Sequence, residues 1–161
     1  MPSSRTSRFG LLACLIMLAT STEGTTTSLG DSHSCAVLTG GTVKCWGRNN
    51  FGQLGDNTTT EKRIAPVDVS GITTATSIAL GGDHSCAVLT GGAVKCWGYN
   101  GNGRLGDNTT AKGRFTPVDV VGITNATSIA LGGSHSCAVL TGGAVKCWGR
   151  NNGPKGNGQV G

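Results

Sequence analysis

Short apolar runs, separated by glycine-rich turns, recur along most of the chain. In the middle of the sequence these runs are Pro66–Val69, Thr76–Leu80, Ser85–Leu89 and Ala93–Trp97. Runs of four or five residues that are rich in Val, Ile and Thr and bounded by glycine indicate β-strands. The pattern therefore predicts four strands in each unit. Pro66, which opens the first run, favours an edge position because proline cannot donate a hydrogen bond to a ladder.

The whole pattern returns every 51 residues. Between residues 71–100 and 122–151 only three of thirty positions differ, and these are Thr74/Asn125, Asp83/Ser134 and Tyr99/Arg150. A fixed period of this size indicates a repeat architecture, in which neighbouring units bury each other's faces. The recurring positions to which we assign a structural role are His33, His84 and His135, together with Trp46, Trp97 and Trp148.

Each unit contains a hairpin with a cysteine on both strands. If residues 90–92 form a three-residue loop with a glycine in the left-handed conformation, Cys86 lies opposite Cys96. Opposed residues bring their Cβ atoms to roughly 4.5–5.5 Å, and a disulfide requires roughly 3.5–4.5 Å, so only a small adjustment is needed. Each closed loop would contribute about 3 kcal/mol. The predicted pairs are Cys35–Cys45, Cys86–Cys96 and Cys137–Cys147.

A metal site is the alternative for these residues, because each unit also has a histidine two positions before its first cysteine. The group His84, Cys86 and Cys96 lacks the close Cys-x2-Cys spacing of zinc ribbons and fingers. We therefore expect no metal and no cofactor. We expect the histidine to fix the glycine turn before its strand by hydrogen bonds, with an exposed ligand-binding role as the alternative.

The N-terminus carries the features of a secretory signal peptide. Arg5 and Arg8 precede the apolar run 9–20, and Ala19 and Ser21 suit a cleavage site after residue 21. A transmembrane anchor is the alternative, but the run is shorter than the roughly 20 residues that span a bilayer. Removal of residues 1–21 also removes Cys14, which leaves six cysteines for three pairs. The mature chain is then expected outside the cell, or at the surface or in the periplasm of a bacterium, and not in a membrane.

Composition supports one module with a modest core. The 161 residues include 28 glycines and only 4% aromatics, so Val, Ile, Leu and Ala must form the core. Without Arg5 and Arg8, 11 basic residues face 8 acidic ones, and the net charge falls from +5 to +3. The remaining basic residues are scattered, whereas a phosphate-binding surface requires a cluster. We expect no nucleic-acid partner.

Glycine and asparagine dominate the segment after each hairpin. Residues 46–57 and their copy at 97–108 predict a structured loop that crosses from one unit to the next. A phosphate-binding loop is the alternative, but the following helix and lysine are absent. N-glycosylation sequons lie in predicted turns or loops and matter only if the source is eukaryotic, and the acceptor residues are Asn57, Asn108 and Asn125.

Residues 81–89 (Gly-x-x-His-x-x-Ala-Val-Leu) and 46–55 (Trp-Gly-x-Asn-x-x-Gly-Gln-Leu-Gly) carry a resemblance to a known family. They resemble the repeats of the regulator of chromosome condensation family, over about residues 29–161. The cysteine pairs resemble those of extracellular versions of the repeat. The resemblance implies a seven-bladed β-propeller with four strands per blade, used as a protein-binding platform. It also implies roles that include nucleotide exchange on a small GTPase and inhibition of a β-lactamase.

The number of repeats predicts an incomplete ring. We expect an all-β fold, a partial, open β-propeller of about two and a half to three four-stranded blades, because a closed ring needs on the order of 350 residues. Its hairpins are expected at 33–46, 84–97 and 135–148. Residues 22–28 do not match the strand before Leu80, so we expect a disordered linker there and an incomplete first unit. Exposed strand edges favour a fragment of a longer protein or self-association of the repeats.

The favoured function is a secreted, non-enzymatic protein-binding or structural module, whose partner lies across the inter-strand loops. The alternatives are a regulator of a small GTPase that resembles a nucleotide-exchange factor, and a propeller-type inhibitor of a secreted enzyme. Catalysis by recurring carboxylates such as Asp56 and Asp107 is disfavoured, because these residues recur only as parts of the repeat. Residues unique to one copy, such as Glu61, Asp83 and Tyr99, are expected at isolated positions, so no catalytic residue is assigned.

Overall fold

The computed structural model describes residues 25–150 as an all-β chain. Residues 1–24, which include the expected signal peptide, and residues 151–161 lie outside the described residues. Within residues 25–150, no helix has the length and hydropathy needed to span a bilayer. The strands are β1 (Thr26–Leu29), β2 (His33–Val37), β3 (Val43–Arg48), β4 (Lys62–Asp68), β5 (Ala75–Leu80), β6 (His84–Leu89), β7 (Val94–Tyr99), β8 (Gly113–Asp119), β9 (Ala126–Leu131), β10 (His135–Leu140) and β11 (Val145–Gly149).

The strands form three antiparallel sheets in chain order. Blade 1 has the order β1-β2-β3-β4, blade 2 the order β5-β6-β7-β8, and the described part of blade 3 contains β9, β10 and β11. The first strand of each blade contacts the first strand of the next, so β1 lies against β5 and β5 against β9. These are the blades of an open β-propeller, and the expected fold class is confirmed.

The strand that contains Pro66 belongs to a different sheet from the hairpin that follows it. This strand, β4, pairs with β3 of the preceding hairpin and forms the outer edge of blade 1. The predicted edge position is thus correct, but the strand begins at Lys62 and Pro66 is its fifth residue. Pro66 lies where the pairing of β3 and β4 shifts register, between Cys45 and Gly47. The sequence pattern places this strand first in its unit, whereas in the structure it is the last strand of the preceding blade.

The first blade has a complete set of strands. Residues Thr26–Leu29 form β1, which pairs with β2 so that Leu29 lies opposite Ser34. The expectation of a disordered linker over residues 22–28 and of an incomplete first unit is wrong for residues 26–28. Pairing at an edge uses backbone groups, so the side chains of β1 need not match those of β5, and its β-branched threonines suit a strand.

The hairpins have the predicted register. Cys86 lies opposite Cys96 and Val88 opposite Val94 in blade 2, and both other blades repeat this pairing. The turn between β6 and β7 contains Gly91 and Gly92 at φ values of 90° and 86°, a conformation that favours glycine. The predicted disulfides are present as Cys35–Cys45, Cys86–Cys96 and Cys137–Cys147.

The hydrophobic core lies between neighbouring blades. The first cluster joins valines and the disulfide of blade 1 to apolar residues of blade 2, and the second joins blade 2 to blade 3 in the same way. Trp97 and Trp148 occupy equivalent places in these two interfaces, with 0% and 7% of their surface exposed. Each blade thus buries the face of the previous one, as the repeat predicts.

Candidate binding surface

Two long loops cross from the hairpins to the outer strands on one side of the blades. The first crossing loop is residues 49–61 and the second is residues 100–112. Asn49 ties the first loop together: its Oδ1 accepts a hydrogen bond from the Leu54 amide at 3.0 Å, and its Nδ2 donates to Asp56 Oδ1 at 3.0 Å. Nδ2 also donates to Thr58. The second loop repeats these bonds with Asn100, Leu105, Asp107 and Thr109.

The recurring carboxylates hold these loops. Asp56 Oδ2 accepts a hydrogen bond from Arg63 Nε at 3.1 Å, and the Thr58 hydroxyl and amide donate to Oδ1. Burial opposes ionisation of Asp56, but the hydrogen bonds from Thr58, Asn49 and Arg63 outweigh it, and the pKa of this carboxyl falls below its ordinary value. The pKa of Asp107 is lowered in the same way. Both carboxylates are therefore ionised anchors of the loops.

The backbone of each crossing loop packs on the next blade. The carbonyl of Gln53 accepts hydrogen bonds from Trp97 Nε1 at 3.0 Å and from the Ser85 hydroxyl at 2.8 Å. Gly55 lies directly on the indole with φ at 68°, and a Cβ there would be 2.8 Å from Trp97 Nε1. Glycine is thus required at this position, because a side chain would separate the loop from blade 2.

The histidines join one blade to the next. His33 Nε2 lies 2.9 Å from Ser85 Oγ, and His84 Nε2 lies 3.0 Å from Ser136 Oγ. Since the Ser85 hydroxyl gives its single hydrogen to the Gln53 carbonyl, His33 must donate from Nε2. The buried Nδ1 atoms of His33 and His84 have no hydrogen-bond partner. The hydrogen bond to the glycine turn is made by the histidine carbonyl, which accepts from Gly30 and Gly81 at 2.9 Å in the first two copies, while the side chain bonds to the following blade.

Burial keeps these histidines neutral. Desolvation lowers the pKa of His33 to about 4, although Asp31 opposes the shift. Desolvation also lowers the pKa of His84 to about 3, with further contributions from the positive charge of Arg104 and from the neighbouring histidines. His135 has the same sequence context but is exposed. The difference arises because blade 3 has no following blade within the described residues.

Four residues that differ between the copies, in the crossing loops or just before their start, form one surface. Residues 46–57 and 97–108 differ at four of twelve positions: Arg48/Tyr99, Asn50/Gly101, Phe51/Asn102 and Gln53/Arg104. Arg48 lies 5.5 Å from the centre of the Phe51 ring, the rings of Phe51 and Tyr99 are 4.9 Å apart, and Arg104 lies 4.7 Å from the centre of the Tyr99 ring. These four side chains form a stacked row that runs from blade 1 to blade 2.

Asp83 adds a carboxylate to this row. Its Oδ1 lies 3.5 Å from Arg48 Nη1 and 3.4 Å from Gln53 Nε2, and its carbonyl accepts a hydrogen bond from the Tyr99 amide at 2.9 Å. The expectation that Asp83 and Tyr99 are isolated is wrong, because the ends of β6 and β7 bring them together. We call the stacked row together with Asp83 the loop-side rim.

Sequence reasoning missed Arg48, Phe51 and Arg104 as candidates for this surface. The signal that could have found them is the difference between copies, read within the loops. The residues that tie the loops are identical in both copies, whereas the residues that form the rim are not. The pairing of a loop from one blade with a turn from the next, however, is visible only in the structure.

The opposite side of the blades is nearly uniform. Its hairpin turns read Leu-Thr-Gly-Gly in all three copies, at residues 38–41, 89–92 and 140–143. Its charges pair across neighbouring strands, with Lys44 2.7 Å from Asp68 and Lys95 2.8 Å from Asp119. We call this the hairpin-side rim. It offers few distinctive groups to a partner.

The residues of the alternative metal site make other contacts in the structure. The paired cysteines are disulfides, and His33 and His84 bond to serines. Within residues 25–150, no three or more His, Cys, Asp or Glu side chains are grouped as a metal site would require. The sequon residues Asn57, Asn108 and Asn125 are exposed in the structure, and their glycosylation stays a prediction.

Comparisons with known proteins identify the repeat. The family model described as "Regulator of chromosome condensation (RCC1) repeat" matches residues 25–53, 75–104 and 126–159, and a second model of the same description matches 40–88 and 92–139. The chain is 38% identical to the ultraviolet-B receptor UVR8 of Arabidopsis thaliana, over 83% of this chain and 30% of the receptor. It is 33% identical to the regulator of chromosome condensation of Drosophila melanogaster, over 73% of this chain and 22% of that protein.

Solved structures of the same architecture agree with the fold. Human WBSCR16 has a TM-score of 0.73 and 23% identity, covering 84% of this chain and 36% of its own length. Prp20p of Saccharomyces cerevisiae has a TM-score of 0.70 and 22% identity, covering 77% of this chain and 32% of its own length. The chain thus spans between about a fifth and somewhat over a third of these relatives.

Proposed function

Because this chain belongs to the regulator of chromosome condensation repeat family, we propose that it is a secreted, non-enzymatic module that binds a protein partner through the loop-side rim. One observation carries the proposal. In repeats of closely similar sequence, four residues that differ between the copies bring two arginines and two aromatic rings together on one surface, and Asp83 adds a carboxylate.

The residue types of the rim suit protein recognition. Tyr, Phe and Arg are enriched in the cores of protein interfaces and supply most of their binding energy. Phe51 and Tyr99 are partly exposed, and each ring is held between a guanidinium and the other ring. Such a row is rigid before binding, so little side-chain entropy is lost when a partner docks.

The use of the carboxylates supports a non-enzymatic role. Asp56 and Asp107 are held by several hydrogen bonds each, and Asp68 and Asp119 form surface ion pairs with lysines. The buried histidines lie between blades, with their Nε2 atoms occupied. These recurring groups stabilise loops and interfaces, and we assign none of them to proton transfer.

Secretion is supported by the cysteines and by the N-terminal sequence. Disulfides persist in oxidising compartments and are rare in the cytosol. The six paired cysteines lie within the described repeats, and the seventh, Cys14, lies in the expected signal peptide, residues 1–21. Mass spectrometry of the secreted product tests this part: a chain that starts after residue 21 and contains no free thiol is expected.

The binding function is tested with a repeat-swap variant. Asp83→Ser together with Tyr99→Arg gives blade 2 the residues that the next copy has at these positions. Partners captured from extracellular fluid by the secreted protein are purified, and their affinity is measured directly. We expect the swap, which replaces one ring and raises the charge of the rim by two, to change the affinity at least tenfold, and Thr90→Ser in the uniform hairpin-side rim to leave it unchanged. Equal affinity for all three proteins would refute the use of the loop-side rim.

The regulator of a small GTPase is the second candidate. It is favoured by the relative named regulator of chromosome condensation and by Prp20p, whose structure was reported with its binding to Gsp1p and histones. An assay of nucleotide release from a small GTPase distinguishes the two functions. Acceleration of release by the secreted, fully oxidised protein would favour this candidate over a passive binding module.

A further inference from the structure

The charges of the loop-side rim identify the chemistry of its partner. We propose that the rim binds an acidic peptide segment, one rich in Asp and Glu, which lies along the stacked row between Arg48 and Arg104. The inference rests on the proposed binding function and extends it to a class of partner. It follows from where positive charge is left uncompensated on this side of the blades.

Four basic side chains of blades 1 and 2 have carboxylate partners at short range. Lys44 and Lys95 pair with Asp68 and Asp119 at 2.7 and 2.8 Å, and Arg63 and Arg114 pair with Asp56 and Asp107 at 3.1 and 2.7 Å. Arg48 differs: among residues 25–150 its ion pair is with Asp83, at 3.5 Å. That carboxylate also accepts from Gln53, and nearly half of the Arg48 side chain is exposed. Arg48 can therefore pair with a further anion.

Arg104 is the stronger indication. Only 5% of its surface is exposed, and its guanidinium donates to the carbonyls of Gly101 and Gly133 at 3.0 and 2.9 Å. Within residues 25–150 it makes no ion pair. Burial of this cation costs free energy and lowers its pKa, and the charge of Asp83 offsets that cost only from beyond ion-pair distance. An anionic group of a partner at the rim would offset that cost, because the attraction between opposite charges is strong where the surroundings have a low dielectric constant.

The fold does not need a charge at this position. The equivalent residue of the first crossing loop is Gln53, and the carbonyls at both positions accept a serine hydrogen bond, although only that of Gln53 also accepts from a tryptophan indole. The Gln53 carbonyl accepts from Ser85, and the Arg104 carbonyl accepts from Ser136 at 2.9 Å. Since glutamine serves the structure in one copy, the positive charge in the other copy is attributed to ligand recognition.

The aromatic rings define where the segment lies. Phe51 and Tyr99 separate the two guanidiniums and present partly exposed apolar surface between them. Arginine pairs with carboxylates through directional, charge-assisted hydrogen bonds. An acidic peptide matches this arrangement, because its carboxylates can lie near both ends of the row and the methylene groups of its side chains over the centre. A basic peptide would be repelled at both ends.

The test uses a fluorescein-labelled deca-glutamate peptide and fluorescence anisotropy, with deca-lysine and a Gly-Ser peptide of equal length as controls. The secreted, oxidised protein is compared with Arg104→Gln, which restores the residue of the first copy. Lys146→Gln is the matched control, because it removes the same charge from the opposite side of blade 3. Of the three peptides, we expect only deca-glutamate to bind the unmodified protein. We expect Arg104→Gln to bind deca-glutamate about tenfold more weakly than the unmodified protein, and Lys146→Gln to bind it equally well. Thermal melting verifies that both variants are folded.

Three results would overturn the inference: no binding of deca-glutamate, equal weakening by both substitutions, or preference for deca-lysine. Equal weakening would mean that net charge alone attracts the peptide.

The proposed binding function and the acidic-peptide inference can fail separately. If the repeat swap at Asp83 and Tyr99 abolishes binding of the natural partner while deca-glutamate does not bind, the rim binds a partner that is not acidic. If Arg104→Gln weakens peptide binding while the natural partner is unaffected by the swap, the proposed function is wrong.

Discussion

The interior between the blades and the loop-side rim are built from the same repeat in opposite ways. In the interior, the copies place the same residues at equivalent sites: Leu54 and Leu105 are both fully buried, and Trp97 and Trp148 are buried in equivalent interfaces. At the rim, equivalent positions hold different residues, such as Phe51 and Asn102. Identity between copies therefore marks what holds the blades together, and difference marks the surface that is available for a specific partner.

The largest effect is expected in the interior. Trp97→Ala removes a fully buried ring and the hydrogen bond to the Gln53 carbonyl, so we expect the free energy of unfolding to fall by about 3–5 kcal/mol. Denaturant unfolding measures the loss. The control is Trp46→Ala, because Trp46 is partly exposed at the start of the array and should cost less. If both substitutions lowered the free energy of unfolding equally, burial of Trp97 between blades 1 and 2 would not explain its contribution to stability.

The disulfides provide the second test of the same comparison. Replacing Cys86 and Cys96 with alanine should cost about 3 kcal/mol, the value for a loop of this length. Cys86 and Cys96 are fully buried between blades, whereas Cys137 and Cys147 are partly exposed on blade 3. A mild reductant should therefore open Cys137–Cys147 first, which peptide mapping after alkylation would reveal. Simultaneous reduction of all three bridges would contradict the difference in burial.

The inter-blade histidines predict a dependence of stability on pH. His33 and His84 have folded pKa values of about 4 and about 3, below the value of 6.5 for the unfolded chain. Between these values the unfolded chain binds more protons, so stability falls as the pH drops below 6.5, by at most about 1.4 kcal/mol per pH unit for each histidine. The carboxylates Asp56 and Asp107 contribute only at lower pH, near and below 3.8.

Urea unfolding between pH 7.5 and 4.5 measures this slope. The variant His33→Asn with His84→Asn should be less stable at pH 7.5, because it loses two bonds between blades, and its stability should depend less on pH over this range. His135→Asn is the control, since His135 is exposed. If the double substitution left the dependence of the free energy of unfolding on pH unchanged, groups other than these histidines would be responsible for it.

The smallest effect on stability is expected at the rim. Asp83→Ser with Tyr99→Arg changes partly exposed residues to those that the next copy has in the same backbone setting. We expect the free energy of unfolding to change by about 0.5 kcal/mol or less, as is usual for surface substitutions. Thermal and denaturant unfolding check this. A loss as large as that of Trp97→Ala would place the rim among the structural contacts.

The sequence predicts local features of this fold better than distant contacts. The hairpins and disulfides follow from the alternation of side chains between the two faces of a strand and from the length of the Thr90-Gly91-Gly92 turn. Strand β1 could not be predicted, because edge pairing depends on backbone groups and its side chains differ from those of β5. The bond from His33 to Ser85 joins residues 52 positions apart and requires the stacking of blades. The rim combines side chains from two copies for the same reason.

The most direct test of the account measures stability and partner affinity in one pair of proteins, the unmodified chain and the variant with Asp83→Ser and Tyr99→Arg. We expect free energies of unfolding that agree to about 0.5 kcal/mol and an affinity for the extracellular partner that changes at least tenfold. Unchanged affinity, or a loss of affinity that occurs only together with a loss of folding, would contradict the division between a structural interior and a binding rim.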